Sequence, residues 1–119
     1  VSRVAAAFHA AGLRKGDRLA VLGRTCLDWL VAEIAGYSVG AVVVGIDPNA
    51  SAEQAAYVLD HSDARMLVAD TRRNLERVSL EARERLVGVA VWGDQEPPPG
   101  ANGFGWPDRD GPADAGRAT

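Results

Sequence analysis

The sequence predicts an α/β domain in which helices cover both faces of a parallel sheet. Three observations carry that prediction. Short apolar runs at 18–22, 41–46, 65–69 and 87–92 take turns with segments whose apolar residues recur at helical spacing. The run Ala41-Val42-Val43-Val44-Gly45-Ile46 shows no polar alternation, which suits a central strand buried on both faces. The intervening segments are long enough for helical crossovers, the connection that parallel neighbours require.

The elements follow in the order α-β-α-β-α-β-α-β. Val4, Phe8 and Ala11 mark a first helix that Gly12 closes. The turn Arg14-Lys15-Gly16-Asp17 leads into strand 18–22. A helix over 27–39 follows, with Leu27, Leu30, Ile34 and Tyr37 on one face and Trp29 and Val31 widening it. An apolar face this broad predicts packing on more than one side. After Gly40 and strand 41–46, Asp47-Pro48-Asn49 makes a turn. Ser51 and Gln54 form a capping box for a third helix, whose Ala52, Ala55, Ala56 and Leu59 face the sheet. Strand 65–69 is closed by Asp70, read as the cap of the next helix. That fourth helix carries Leu75, Val78, Ala82 and Leu86 on one side, with Arg73, Glu76, Arg77, Glu81, Arg83, Glu84 and Arg85 solvated and Glu81 paired to Arg85. Strand 87–92 ends the pattern.

Residues 93–119 differ in kind. They hold five of the six prolines and six of the 13 glycines, with Phe104 and Trp106 as their large apolar residues. Proline removes backbone donors and glycine is entropically costly to order, so this stretch reads as a disordered or loosely held tail beyond a domain at 1–92. The net charge of −3 also resides there: the tail has five acids and two arginines, leaving eleven acids and eleven bases in residues 1–92. A neutral domain offers no footprint for nucleic acid and no basic patch for a membrane surface. No apolar stretch reaches the roughly 20 residues of a membrane span. Arg3, His9 and Arg14 interrupt the first apolar residues, unlike a secretory leader, so the expected location is cytoplasmic. Twelve arginines against one lysine suit a GC-rich, bacterial coding sequence. Val1 in place of an initiator Met fits a fragment or an alternative start.

Parallel sheets collect ligands at the carboxyl ends of their strands. Those ends are Gly23-Arg24-Thr25, Asp47-Pro48-Asn49, Asp70-Thr71 and Gly93-Asp94. They contain neither GxGxxG nor GxxxxGK[ST], so no glycine-rich turn is there to close backbone amides around a pyrophosphate. An acidic phosphoacceptor pocket built on Asp47 and Asp70 would need acids after the first strand and a later lysine, and Lys15 precedes that strand. His9 and His61 are far apart and suit surface or helix-end roles. Ser51 is a cap, and Cys26, the only cysteine, reads as a small core residue.

Five phrases nevertheless resemble a known family. Gly12-Leu13-Arg14-Lys15-Gly16-Asp17-Arg18-Leu19-Ala20-Val21-Leu22 is similar to the helix end, turn and first strand that open many AMP-forming synthetases. Asp28-Trp29, Gly40 to Val44, Ser51 to Leu59 and Ser62 to Val68 resemble that family's next helix, strand, helix and strand entry, in order and at family spacing over residues 1–92. The wording is nearest the long-chain fatty acyl-CoA ligase branch. The resemblance implies a three-layer parallel-sheet N-terminal subdomain of the acyl-adenylate-forming fold, incomplete here. It implies ATP, Mg and CoA for the intact enzyme, which adenylates a carboxylate and then forms a thioester. Gly45 and Cys26 stand where the family usually has proline, and the resemblance fades after Trp92. The family's ATP loop, adenine and magnesium segment, ribose-binding Asp and catalytic Lys match no residue of this chain. The resemblance therefore assigns no catalytic, cofactor-binding or metal-ligating residue here.

The expected partner is the remainder of a synthetase or a complementary chain, with self-association through apolar surface at Trp29, Tyr37 and Trp92. A non-catalytic interaction module is the alternative. A module would cover its sheet and helix faces; a piece of a larger enzyme would leave one bare.

Overall fold

The computed structural model describes residues 2–24, 26–92, 94–100 and 102–107. Among the described residues nine elements occur in chain order: α1 (Ser2–Ala11), β1 (Arg18–Leu22), α2 (Leu27–Val39), β2 (Val42–Ile46), α3 (Ala52–Ser62), β3 (Met66–Ala69), α4 (Arg72–Glu76), α5 (Leu80–Glu84) and β4 (Gly88–Val91). All strand pairs are parallel, and the sheet order is β2-β1-β3-β4. Leu19 lies between Val43 and Met66 in register, and Val68 lies beside Ala90.

Side chains alternate across the pleat and build two cores. Leu19, Val21, Met66, Val68, Ala90 and Trp92 point towards α1 and α2, where they meet Val4, Phe8, Ala32 and Ala35. Ala20, Leu22, Leu67, Ala69, Val89 and Val91 point towards α3, α4 and α5, where they meet Ala55, Leu59, Leu75, Val78 and Ala82. The result is the expected three-layer arrangement.

Helix ends follow local chemistry. The Ser51 hydroxyl accepts from the Gln54 amide at 3.1 Å, and the Gln54 side chain accepts from the Ser51 amide at 2.9 Å. Gly40 takes φ of +89°, a left-handed conformation that glycine adopts without a Cβ penalty, and Ala41 then donates back to Gly36 O. Asp47 makes its turn by accepting from the Asn49 amide at 2.8 Å.

The structure departs from the sequence expectations at several points. Val42–Ile46 is an edge strand, not a central one, and Val42 is 52% exposed. An unalternated valine run records that both strand faces are apolar, not that both sides are covered. Helix α2 turns its small residues inward, Ala32, Ala35 and Gly36, so that it sits close to Leu19 and Val43. Its larger apolar residues, Leu27, Leu30, Ile34 and Tyr37, face outward. Trp92 is buried, and Cys26 is exposed at the start of α2 rather than in the core.

The expected fourth helix is two. Leu75, Val78, Ala82 and Leu86 are all buried as the spacing requires, but Ser79 is extended and its hydroxyl accepts from the Ala82 amide at 3.2 Å. A serine that caps competes with continuing the helix. Thr71, not Asp70, caps α4, accepting from the Asn74 amide at 3.0 Å. Arg85 reaches Asp60 at 3.4 Å across two exposed side chains, in place of Glu81.

Residues 94–100 and 102–107 form no helix or named strand, yet they hydrogen-bond to the sheet and to α5. They form a strap along the outer edge of β4. Val89 donates to Asn102 O and Phe104 donates to Val89 O, each at 3.0 Å, making a parallel bridge between Val89 and Gly103. Trp106 donates to Asp94 O at 2.8 Å, and its side chain is buried edge-on to Phe8, with ring centroids 6.0 Å apart. Asn102 donates to the carbonyls of Arg83 and Leu86, closing the end of α5. The glycines serve close backbone approach: a Cβ on Gly103 or Gly105 would collide with the carbonyl of Pro98 or Gln95. The expectation of disorder for 108–119 lies outside the described residues.

Candidate functional site

Strand order locates the site. The chain leaves β1 for β2 on one side and returns through α3 to β3 on the other, so the topology switches between the carboxyl ends of β1 and β3. A crevice of about 480 Å3 opens there, lined by Arg24, Pro48, Asn49, Asp70, Arg73, Asn74 and Arg77. A neighbouring crevice of about 390 Å3 runs past Gly23, Trp29, Gly45 and Asp47, and shares Arg24 and Pro48 with the first.

The loops that build this surface are tied to the sheet. Asp70 donates its amide to Leu22 O at 2.9 Å, and Trp92 donates to Ala69 O at 2.9 Å. The Asp70 carboxylate accepts from the Asn74 side-chain amide at 2.6 Å, fixing both across the first turn of α4. Arg77 Nη1 donates to Pro48 O, which joins α4 to the loop after β2. Among the described residues, the side chains of Arg24 and Arg73 make no hydrogen bond or ion pair with the protein.

Next to Arg73 in sequence, Arg72 Nε donates to Asp94 Oδ2 at 2.7 Å and its Nη2 donates to Glu96 O at 2.9 Å. The hydrogen bond from Arg72, helped by the Glu96 amide, holds the Asp94 carboxyl below its ordinary range. The same bond raises the affinity of the Arg72 guanidinium for its proton.

The crevice gathers three guanidinium groups around a single carboxylate, Asp70. That set can hold the oxygens of an anion. It does not pair a nucleophile with a base. His61 stacks on Tyr57 on the outer side of α3, with ring centroids 5.2 Å apart. His9 lies exposed in the last turn of α1, and Ser51 is committed to its capping box. Asp47, exposed, serves its turn. Among the described residues there is no cluster of three or more metal-ligating side chains, and no helix is long and apolar enough to cross a membrane.

In the sequence Arg24 and Asp70 stand out as strand-end residues, whereas Arg73 and Arg77 read as a solvated helix face. The available signal was their separation: four apart, directly after a strand, they share the helix face nearest the strand ends.

Comparison with known proteins gives the context. The model of the AMP-binding enzyme family matches residues 1–114, past Trp92, where the resemblance had been expected to fade. The chain is 29% identical over 99 residues to the long-chain-fatty-acid–CoA ligase ACSBG1 of Rattus norvegicus, an alignment covering 82% of this chain and 14% of that protein. It is 40% identical over 60 residues to the long-chain-fatty-acid–CoA ligase FadD15 of Mycobacterium bovis, covering 50% of this chain and 10% of that one. The chain thus spans 14% or less of the length of these relatives. Among solved structures, the anthranilate CoA ligase AuaEII in complex with anthranoyl-AMP superposes with a TM-score of 0.68 at 23% identity, over 77% of this chain and 18% of that one. Acetoacetyl-CoA synthetase from Streptomyces lividans superposes with a TM-score of 0.67 at 21% identity, over 79% and 17%. At these identities the structural matches establish the fold, and the family match establishes kinship: this chain belongs to the AMP-binding enzyme family, as an N-terminal α/β segment of the acyl-CoA synthetase type.

Proposed function

We propose that the chain serves as the scaffold segment of an ATP-dependent acyl-CoA ligase and is catalytically inactive alone. In that reaction a carboxylate attacks the α-phosphorus of ATP, releasing pyrophosphate, and the thiol of CoA then displaces AMP from the acyl-adenylate. ATP, Mg and CoA belong to the assembled enzyme, and the segment alone holds none of them. A long-chain fatty acid is the proposed substrate, on the strength of the names of the ACSBG1 and FadD15 relatives. A cytoplasmic location, a bacterial source and a remainder of the ligase supplied as further polypeptide complete the reading.

The observation that carries it is the family match over residues 1–114 on a fold whose strand-end crevice gathers arginines without a nucleophile–base pair. Adenylation needs positive groups placed against the charge that develops on the transferring phosphate. Arg24, Arg73 and Arg77, which line the crevice, are positive groups of that kind.

The test is acid-dependent ATP–pyrophosphate exchange by the purified 119-residue chain, with palmitate and benzoate as acids. The expected result is exchange no greater than the buffer blank. Exchange that co-elutes with the chain and persists after a second, orthogonal purification would overturn the proposal.

A further inference from the structure

The outer face of α2 is a regular seam. Leu27, Leu30, Ile34 and Tyr37 are 64%, 47%, 41% and 57% exposed, and their spacing of three, four and three residues is the a/d repeat of a helix–helix interface. The opposite face is already filled: Ala32 and Ala35 are fully buried, and Gly36 packs on Leu19 and Val43. The outward residues therefore leave about half of their surface outside the segment's own core. Together they leave on the order of several hundred Å2 of apolar surface in one stripe, at the size where a patch signifies contact with another surface. The 13 residues of α2 give a seam about 20 Å long, enough for a partner helix of four turns.

We infer that this seam is the docking site for a helix of the ligase polypeptide outside this segment, packed side by side on α2 rather than added as a strand to the open edge of β2. This rests on the proposed function and names the contact through which the segment joins the remainder. Two observations select that occupant. In AuaEII and the Streptomyces lividans synthetase the matching segment is 18% and 17% of the chain, so more than four-fifths of such a polypeptide is available to cover the face. A second copy fits less well. Glu33 flanks the seam at the middle of α2, and an antiparallel two-fold pairing would set two Glu33 carboxylates beside each other.

The experiment co-expresses the tagged 119-residue chain with the part of FadD15 that follows its matching segment. The expected result is a one-to-one complex that Leu30→Glu with Ile34→Glu weakens at least tenfold. The free double variant should keep the wild-type circular dichroism spectrum, because both side chains face solvent. Tyr57→Glu, equally exposed on α3, should leave the complex unchanged. A complex that survives the double variant and is lost on Val42→Lys, at the β2 edge, would overturn the helix-docking inference while leaving the proposed function standing. A homodimer sensitive to the double variant, with no mixed complex, would replace the occupant by a second copy. No complex through any face would overturn the proposed function too. Grafting the chain in place of the matching segment of FadD15 gives a second readout: there the two glutamates should lower the melting temperature by at least 5 °C relative to Tyr57→Glu, and equal melting temperatures would overturn the inference.

Discussion

Arg72 and Asp94, 22 residues apart, form the ion pair that ties the start of α4 to the strap along β4, beside the hydrogen bond from Arg72 Nη2 to Glu96 O. The linkage sets a direction with pH. Asp94 binds its proton less readily in the folded state than the ordinary carboxylate value of about 3.9. Its contribution is therefore fully present above that value and is lost as pH falls through the lowered folded value. Arg72 stays charged throughout. Protection of the Val89, Phe104 and Trp106 amides from hydrogen exchange should be constant from pH 5 to 7 once corrected for intrinsic rates, and should fall below about pH 4. Asp94→Asn should remove that acid step; an unchanged step would assign it to other carboxylates.

The strap's anchor is Trp106. It is 3% exposed and packs, with Phe104, against Phe8 of α1. Trp106→Ala should destabilise the chain by about 3–5 kcal/mol in urea unfolding followed by circular dichroism, the usual cost of deleting a buried aromatic. A loss under about 1 kcal/mol would mean that the strap is an ornament rather than part of the core.

Ser79 distinguishes one helix from two by the sign of a single substitution. In the middle of a continuous helix, Ser79→Ala would stabilise, because alanine is the better helix former. As the cap of α5 it accepts from the Ala82 amide, and its loss should destabilise by about 1 kcal/mol. Ser51→Ala, at an independent cap, should cost a similar amount and calibrates the measurement.

The strands, the layers and the Ser51 cap are legible in the sequence because they rest on local chemistry. Ser51 and Gln54 need only each other, and the apolar residues 19–22 and 66–69 are buried in the structure as the sequence implies. What sequence hides is relational. Nothing in Val42-Val43-Val44 says that β2 lies at an edge, and the helical spacing of Leu27, Leu30, Ile34 and Tyr37 does not say whether that face turns inward or outward. Gly103 and Gly105 read as signs of disorder, whereas here they permit backbone contact with Pro98 and Gln95. The crevice was half visible: Arg24 and Asp70 sit at strand ends, while Arg73 and Arg77 join them only because a capping Thr71 starts α4 immediately after β3.

Segment replacement tests the proposal that this chain serves as the N-terminal scaffold of an acyl-CoA ligase. The part of FadD15 equivalent in fold to residues 2–107 would be exchanged for those residues of this chain, and palmitate-dependent ATP–pyrophosphate exchange measured beside the parent enzyme and the isolated chain. The account predicts exchange within about tenfold of the parent, a difference of no more than about 1.4 kcal/mol in barrier, and none from the isolated chain. A chimera that folds with the parent's circular dichroism spectrum yet shows no exchange, or exchange by the isolated chain, would contradict it.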